Sequence, residues 1–188
     1  MRYDASIHIE EKDDVYSPDE DSILLIESLD VYEGERILEI GCGSGIVAIH
    51  CAKNGAVVTA VDINPSAVAL TMKNAAANGT FMDVRLSDLY ENTYSDYDTV
   101  VFNLPYLPVS DNDALGKAWS GGDDGMGPLP KLLNEAIGRL YPGGRLVIVV
   151  SSLMDQCHLD DVLRVHKITV LGEKKISFEL LRVLEIRL

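Results

Sequence analysis

Hydrophobic positions along the chain fall into short unbroken runs, separated by longer stretches with apolar residues at helical spacing. Arg36–Ile40 (RILEI), Val57–Val61, Asp98–Phe102 and Arg145–Val150 are short, apolar and rich in Val and Ile. Such runs predict strands buried on both faces. Met82–Leu86 alternates apolar and polar residues and predicts a half-buried strand. Between these runs lie candidate helices. Gly45–Asn54 closes at Gly55, and a second helix is predicted from Pro65 to about Ala77. Asn64 is its expected N-cap, Pro65 its first residue and Asn78-Gly79 its stop. Pro128–Leu140 and Asp155–Val165 read as further helices, with strands near Lys167–Leu171 and Leu180–Ile186. At the N-terminal end, Val15–Leu29 predicts a helix in which Ser17 and Glu20 form a capping box. Pro18 is its expected first residue, and Ile23, Ile26 and the neighbouring leucines supply an apolar face. Repeated strand–helix units predict one α/β domain: a mostly parallel sheet covered by helices on both faces.

Composition narrows the class. The chain has 188 residues, 47% of them hydrophobic and 24% charged, which excludes a disordered polypeptide. No apolar run approaches the roughly 18 residues of a membrane span. Asp4, Glu10, Glu11, Asp13 and Asp14 stand where a secretory leader needs basic and then apolar residues. A cytoplasmic protein is the expectation. The net charge of −14 disfavours tight non-specific binding of nucleic acid. Cys42, Cys51 and Cys157 form no CxxC pair and read as reduced thiols. His8, His50, His158 and His166 show no ligand spacing, so no metal site is expected.

The chemistry begins after the first strand. LEIGCGSG puts Glu39 at the strand's end, then Gly41, Gly43 and Gly45 before a helix. Small residues let a ligand approach the backbone, and the turn aims free N–H groups at it. Asp62 closes the second strand 21 positions after Gly41, the offset expected of a carboxylate holding a ribose diol. A dinucleotide fingerprint would carry its third glycine at position 46, which is Ile46, so an NAD-binding reading ranks second. The pattern E-x-G-x-G-x-G resembles the first motif of class I S-adenosylmethionine-dependent methyltransferases.

After the strand DTVVF comes Asn103-Leu104-Pro105-Tyr106. The side-chain oxygen of Asn103 and the backbone carbonyl of Leu104 can each accept one N–H of a planar NH2 group, with Tyr106 packed against it. Such bonds turn a weakly nucleophilic nitrogen toward a methyl donor, catalysis by positioning rather than by a strong base.

Together, VYSPDEDS, LEIGCGSG, VDINP, SDL, FNLPYLP and AWSGGDDG resemble the HemK-type protein-glutamine methyltransferases, in particular the short archaeal and eukaryotic branch. The resemblance implies a three-layer Rossmann-like fold whose mostly parallel seven-stranded sheet ends in an antiparallel strand, filling residues 1–188. It implies S-adenosylmethionine as cofactor and, as substrate, the Gln of the Gly-Gly-Gln loop in a class I peptide-release factor. Carried over by position, Ser22, Glu39, Gly41, Cys42, Gly43, Asp62, Ile63, Asp88, Leu89 and Asn103 line the cofactor pocket. Tyr16 lies near the methionine end, Asp88 at the adenine amine and Leu89 against the ring. Asn103 through Tyr106 receive the glutamine amide. Gly121, Gly122 and Gly125 permit a tight backbone path near the substrate, and Asp123 and Asp124 belong to a solvated loop. The family usually reads Asn-Pro-Pro-Tyr. The form with Leu104 also occurs in rRNA adenine dimethyltransferases, so an adenine-amine methyltransferase stands as an alternative, with an inactive cofactor-binding module as another. Branch members work with a small zinc-binding activator that pairs with a sheet edge, here expected at Phe81–Leu86, where Asp83 and Arg85 are the guarding charges.

Overall fold

The computed structural model describes residues 1–94, 96–109 and 119–188. Ala118, which opens the AWSGGDDG motif, lies outside the described residues. Among the described residues, twelve elements follow one another: α1 (Glu20–Ser28), β1 (Arg36–Ile40), α2 (Ile46–Lys53), β2 (Val57–Asp62), α3 (Pro65–Ala77) and β3 (Asp83–Leu86), then β4 (Tyr97–Phe102), α4 (Leu129–Ala136), β5 (Leu140–Ser151), α5 (Gln156–Leu163), β6 (Lys167–Ile176) and β7 (Glu179–Arg187). The strands form one sheet in the order β3-β2-β1-β4-β5-β7-β6. β1 to β5 run parallel to one another, and β7 is antiparallel to both β5 and β6.

Alternation along β5 shows why the sheet needs two covers. Leu146, Ile148 and Val150 pack with Leu129, Leu132 and Leu133 of α4 and Leu159 of α5. Val147 and Val149 face the other way, among Leu25 and Ile26 of α1, Leu29 just after it, and Val47 and Cys51 of α2. A strand covered on both sides must be apolar where it is covered, as β5 is from Leu146 to Val150. Gly172 of β6 sits under α1, where a Cβ would lie 2.2 Å from the Ser28 hydroxyl oxygen.

Three expected boundaries need correction. The first is the capping box at Ser17. Asp19 is the N-cap of α1, its side chain accepting from the Glu20 N–H, and the helix starts after Pro18 rather than at it. Asp19 meets the same requirement for a short acceptor side chain that Ser17 does. The second is the end of α4, which stops at Ala136. Leu140 instead opens β5 opposite Tyr97; the ladder then shifts across Pro142-Gly143-Gly144 and resumes with Arg145 opposite Thr99. The third is β6, which continues past Leu171 to Ile176, because β7 pairs with it along its whole length up to Glu179.

Candidate active site

The strand order reverses between β1 and β4, and open α/β sheets bind ligands at such a switch point, beyond the carboxyl ends of the strands. A cavity of about 460 Å³ opens there. That is within the roughly 300–1,000 Å³ of small-molecule sites. Gly41, Cys42 and Gly43 form its floor after β1, Asp62 and Ile63 flank it after β2, and Asp88 and Leu89 flank it beyond β3. Asn103 and Pro105 contribute from the end of β4, and Tyr16 and Ser22 from the N-terminal segment. The side chains of Leu104 and Tyr106 lie outside this wall. The Leu104 side chain is buried in the core, and Tyr106 is half-buried against both core faces.

Two carboxylates are held by backbone N–H groups. Glu39 is buried and accepts from the Ala48 N–H of α2 at 2.9 Å. Burial pushes its carboxyl well above the ordinary value, and the nearby Asp62 adds to the effect. Asp62 accepts from the N–H groups of Gly43, at 2.9 Å, and Asn64, at 2.8 Å, while burial raises it as well. Burial also pushes the Cys42 thiol up and so keeps it protonated, while the Thr71 hydroxyl, 3.3 Å from the sulfur, acts in the other direction. Gly41 has φ +64°, and a Cβ there would stand 2.6 Å from the Phe102 ring. Leu89 holds φ +46°, a left-handed backbone that side chains adopt at a cost. Asp88 is half exposed and lies 3.4 Å from the Lys131 ammonium.

The segment after β4 is braced by the glycine loop. The Leu107 N–H donates to the Trp119 carbonyl at 3.0 Å, and the Gly121 N–H returns to the Leu107 carbonyl at 2.8 Å. A Cβ on Gly125, whose φ is +74°, would lie 2.6 Å from the Tyr106 carbonyl oxygen. Glycine is therefore needed where the loop crosses Tyr106. Asp124 accepts from the Met126 N–H at 3.0 Å and faces His158 Nδ1 at 2.9 Å. The Met126 N–H, then His158, holds its carboxyl below the usual range.

Residues 7–175 match the family model of the methyltransferase small domain. A putative protein N5-glutamine methyltransferase of Methanocaldococcus jannaschii is 38% identical over 178 residues, covering 91% of this chain and 90% of that protein. The chain belongs to the HemK-type class I methyltransferases. It is an S-adenosylmethionine-dependent enzyme. Methyltransferase HEMK2 of Mus musculus is 31% identical over 153 residues, covering 72% of this chain and 71% of that protein. Among solved structures, the E. cuniculi Mtq2–Trm112 complex, responsible for methylation of the eRF1 translation termination factor, superimposes with a TM-score of 0.75 at 22% identity. It covers 93% of this chain and 98% of that one, and shows the shared fold.

The cavity of this methyltransferase fits that cofactor. It offers a bare backbone at Gly41, carboxylates that can accept from hydroxyl and ammonium donors, and a surplus of negative charge suited to a sulfonium. Its last fitting feature is the buried Asn103 Oδ1, which has no hydrogen-bond partner among the described residues. Sequence reasoning missed several walls of the site. Asp14 and Val15 line it from the N-terminal segment, and Phe102 lines it beside Gly41. Asp21 was missed as well, although it accepts hydrogen bonds from Tyr16, Ser22, Asn103 and Tyr106. Its signal was available: an acid next to Ser22, in a segment already assigned to the cofactor pocket.

Proposed function

We propose that the enzyme transfers a methyl group to the side-chain amide nitrogen of a glutamine, the one in the Gly-Gly-Gln loop of a class I peptide-release factor. One observation carries this reading: Asn103 Oδ1 is a buried, unpaired acceptor in the wall of a cavity suited to the cofactor. A buried acceptor without a partner is costly, and an incoming N–H relieves it. Asn103 Oδ1 and the Leu104 carbonyl accept the two amide protons and turn the nitrogen toward the cofactor. Bound S-adenosylmethionine supplies an electrophilic methyl on a positively charged sulfur. On transfer of that methyl to the nitrogen the sulfur would keep the C–S electron pair, and the nitrogen would give up one of its two protons to solvent. Tyr16, Ser22, Glu39, Gly41, Cys42, Gly43, Asp62, Ile63, Asp88 and Leu89 hold the cofactor, with Asp62 at the ribose hydroxyls and Asp88 at the adenine amine. A backbone carbonyl does the work at position 104, so a buried Leu there in place of Pro leaves the acceptor pair intact.

The expected partner is a small zinc-binding activator, and the E. cuniculi protein was itself solved in complex with Trm112. β3 pairs with β2 alone at one edge of the sheet, and Phe81 beside it is 96% exposed. The edge charges Asp83 and Arg85 are satisfied by one another. Labelled S-adenosylmethionine, offered with a release factor, with its Gln→Ala variant and with rRNA, tests the substrate. Label on the release factor that vanishes with the Gln→Ala change supports the reading. Label that survives the change overturns it, and label on rRNA alone supports the adenine-amine alternative favoured by Asn-Leu-Pro-Tyr.

A further inference from the structure

Five hydrogen bonds converge on the buried carboxylate of Asp21, in the first turn of α1. Oδ1 accepts from the Ser22 N–H at 2.6 Å and the Ser22 hydroxyl at 3.2 Å. Oδ2 accepts from the Tyr16 hydroxyl at 3.0 Å and Asn103 Nδ2 at 3.0 Å, with the Tyr106 hydroxyl farther out at 3.4 Å. The first turn of a helix favours negative charge, so the carboxylate is well placed. Burial, and then the Asp21 charge, push both tyrosine hydroxyls above their ordinary range, so they remain donors.

A carboxylate can only accept, and an amide has one accepting end and one donating end. With Nδ2 of Asn103 committed to Asp21, Oδ1 is the end left unpaired in the cavity wall. Rotating the amide by half a turn would set oxygen against oxygen. Asp21 therefore forbids the rotamer that would show the substrate a donor.

We infer that Asp21 is a positioning residue that locks the polarity of Asn103, and so makes the pocket select an NH2-bearing amide over a carbonyl or carboxylate. Glutamine is thereby admitted and glutamate refused. The inference rests on the proposed glutamine substrate and adds to it the residue that sets the preference. Without the negative charge, the Asn103 amide is free to rotate and presents NH2 to NH2.

Exchanging the two side chains tests this. Asp21→Asn keeps the shape but removes the obligatory acceptor, and kcat falls about 100-fold, the size of a small misplacement of reacting groups. Cofactor affinity by calorimetry stays within a few fold of wild type. Glu-for-Gln substrate peptides, poor competitors of the wild type, become better competitors of this variant. Asn103→Asp sets two carboxylates face to face, and kcat falls likewise. The double variant Asp21→Asn/Asn103→Asp restores donor to acceptor, with the carboxylate introduced at position 103 still offering an oxygen to the substrate. It regains about tenfold or more over either single change. A merely structural Asp21 would give additive losses and no rescue.

The Asn103→Asp variant gives a second readout that does not need Asp21→Asn to fold. Two facing carboxylates share a proton. Its kcat therefore rises as pH falls, because the shared proton recreates the donor–acceptor pair. Tyr16 and Tyr106 face this pair directly, with Asp19 acting on both hydroxyls and Glu179 on that of Tyr106. Wild-type kcat in Asp21→Asn, a double variant no better than the worse single one, or a wild-type pH profile in Asn103→Asp each overturns the inference. A wild-type enzyme that labels no glutamine overturns the substrate reading instead, before any variant is made.

Discussion

Asn74 of α3 clamps both backbone polar groups of Glu10: its Oδ1 accepts from the Glu10 N–H at 3.0 Å and its Nδ2 donates to the Glu10 carbonyl at 3.0 Å. One turn on, Asn78 does the same to His8, at 3.0 and 2.7 Å. Two extended residues and four helical ones each span about 6–7 Å, so a strap can be pinned to a helix at this spacing. The strap leads directly into Asp14, Val15 and Tyr16, which wall the cavity.

The clamp predicts unequal effects. Asn74 is fully buried and its Nδ2 also donates to the Ser44 carbonyl at 2.8 Å, so Asn74→Ala leaves several buried groups unpaired. A loss of about 1–3 kcal/mol in urea denaturation is expected, with weaker cofactor binding and faster amide exchange over residues 1–14. Asn78→Ala, at a more solvated position, costs less. Equal effects on stability and cofactor affinity would show that the strap is not held through Asn74.

Gly41 and Phe102 make a second test. The positive φ at Gly41 and the ring 2.6 Å from any added Cβ oppose a side chain there for two separate reasons. Gly41→Ala is expected to lower stability by about 1–3 kcal/mol and to weaken S-adenosylmethionine binding at least tenfold by calorimetry. Unchanged cofactor affinity would mean that the backbone at position 41 does not approach the ligand.

Much of this site was legible in the sequence, because its parts sit at strand ends. β1, β2 and β4 are short Val- and Ile-rich runs, and the residues that follow them must emerge at one side of a parallel sheet. Asn64-Pro65 likewise announces α3: Asn64 accepts from the Ser66 N–H and Pro65 opens the helix. What could not be read is convergence across distance. Asp21 and Asn103 are 82 positions apart and meet only because α1 packs over the sheet. The Ser17 capping box is the expected start of α1, but Asp19, two residues on, has an equally short acceptor side chain and is the one that accepts from the Glu20 N–H. Leu140 has a side chain that suits a helix, but its backbone pairs with Tyr97.

Glu39 and Asp62 tie stability to pH. Burial raises both carboxyls, so the folded protein keeps protons that the unfolded chain releases. Their favourable contribution is complete below the ordinary carboxylate range of about 4, and it is lost as pH climbs toward the raised folded values. At neutral pH the cofactor-free enzyme bears this cost. Glu39→Gln removes it while keeping an acceptor for the Ala48 N–H. The variant should melt a few degrees higher than wild type at about pH 7–8, lose that advantage near pH 4, and bind the cofactor more weakly. A melting difference that does not vary with pH would refute the assignment.

The sheet edge supplies the last expectation. Phe81 is almost wholly exposed, Leu86 and Met72 are half exposed, and the Arg85 guanidinium of β3 lies 5.0 Å from the ring of the exposed Tyr94. An apolar edge of this kind is a liability for a lone chain and an asset for one that receives a strand. None of these residues belongs to the cavity wall, so a change there separates docking from cofactor binding. Phe81→Asp should leave S-adenosylmethionine affinity at the wild-type value and reduce concentration-dependent association seen by sedimentation. It should also weaken binding of a small Trm112-type partner by about tenfold or more, the cost of removing a central aromatic anchor. Undiminished partner binding would move the docking site away from β3. The opposite edge, β6, would then be the remaining open strand, since β7 is paired on both sides.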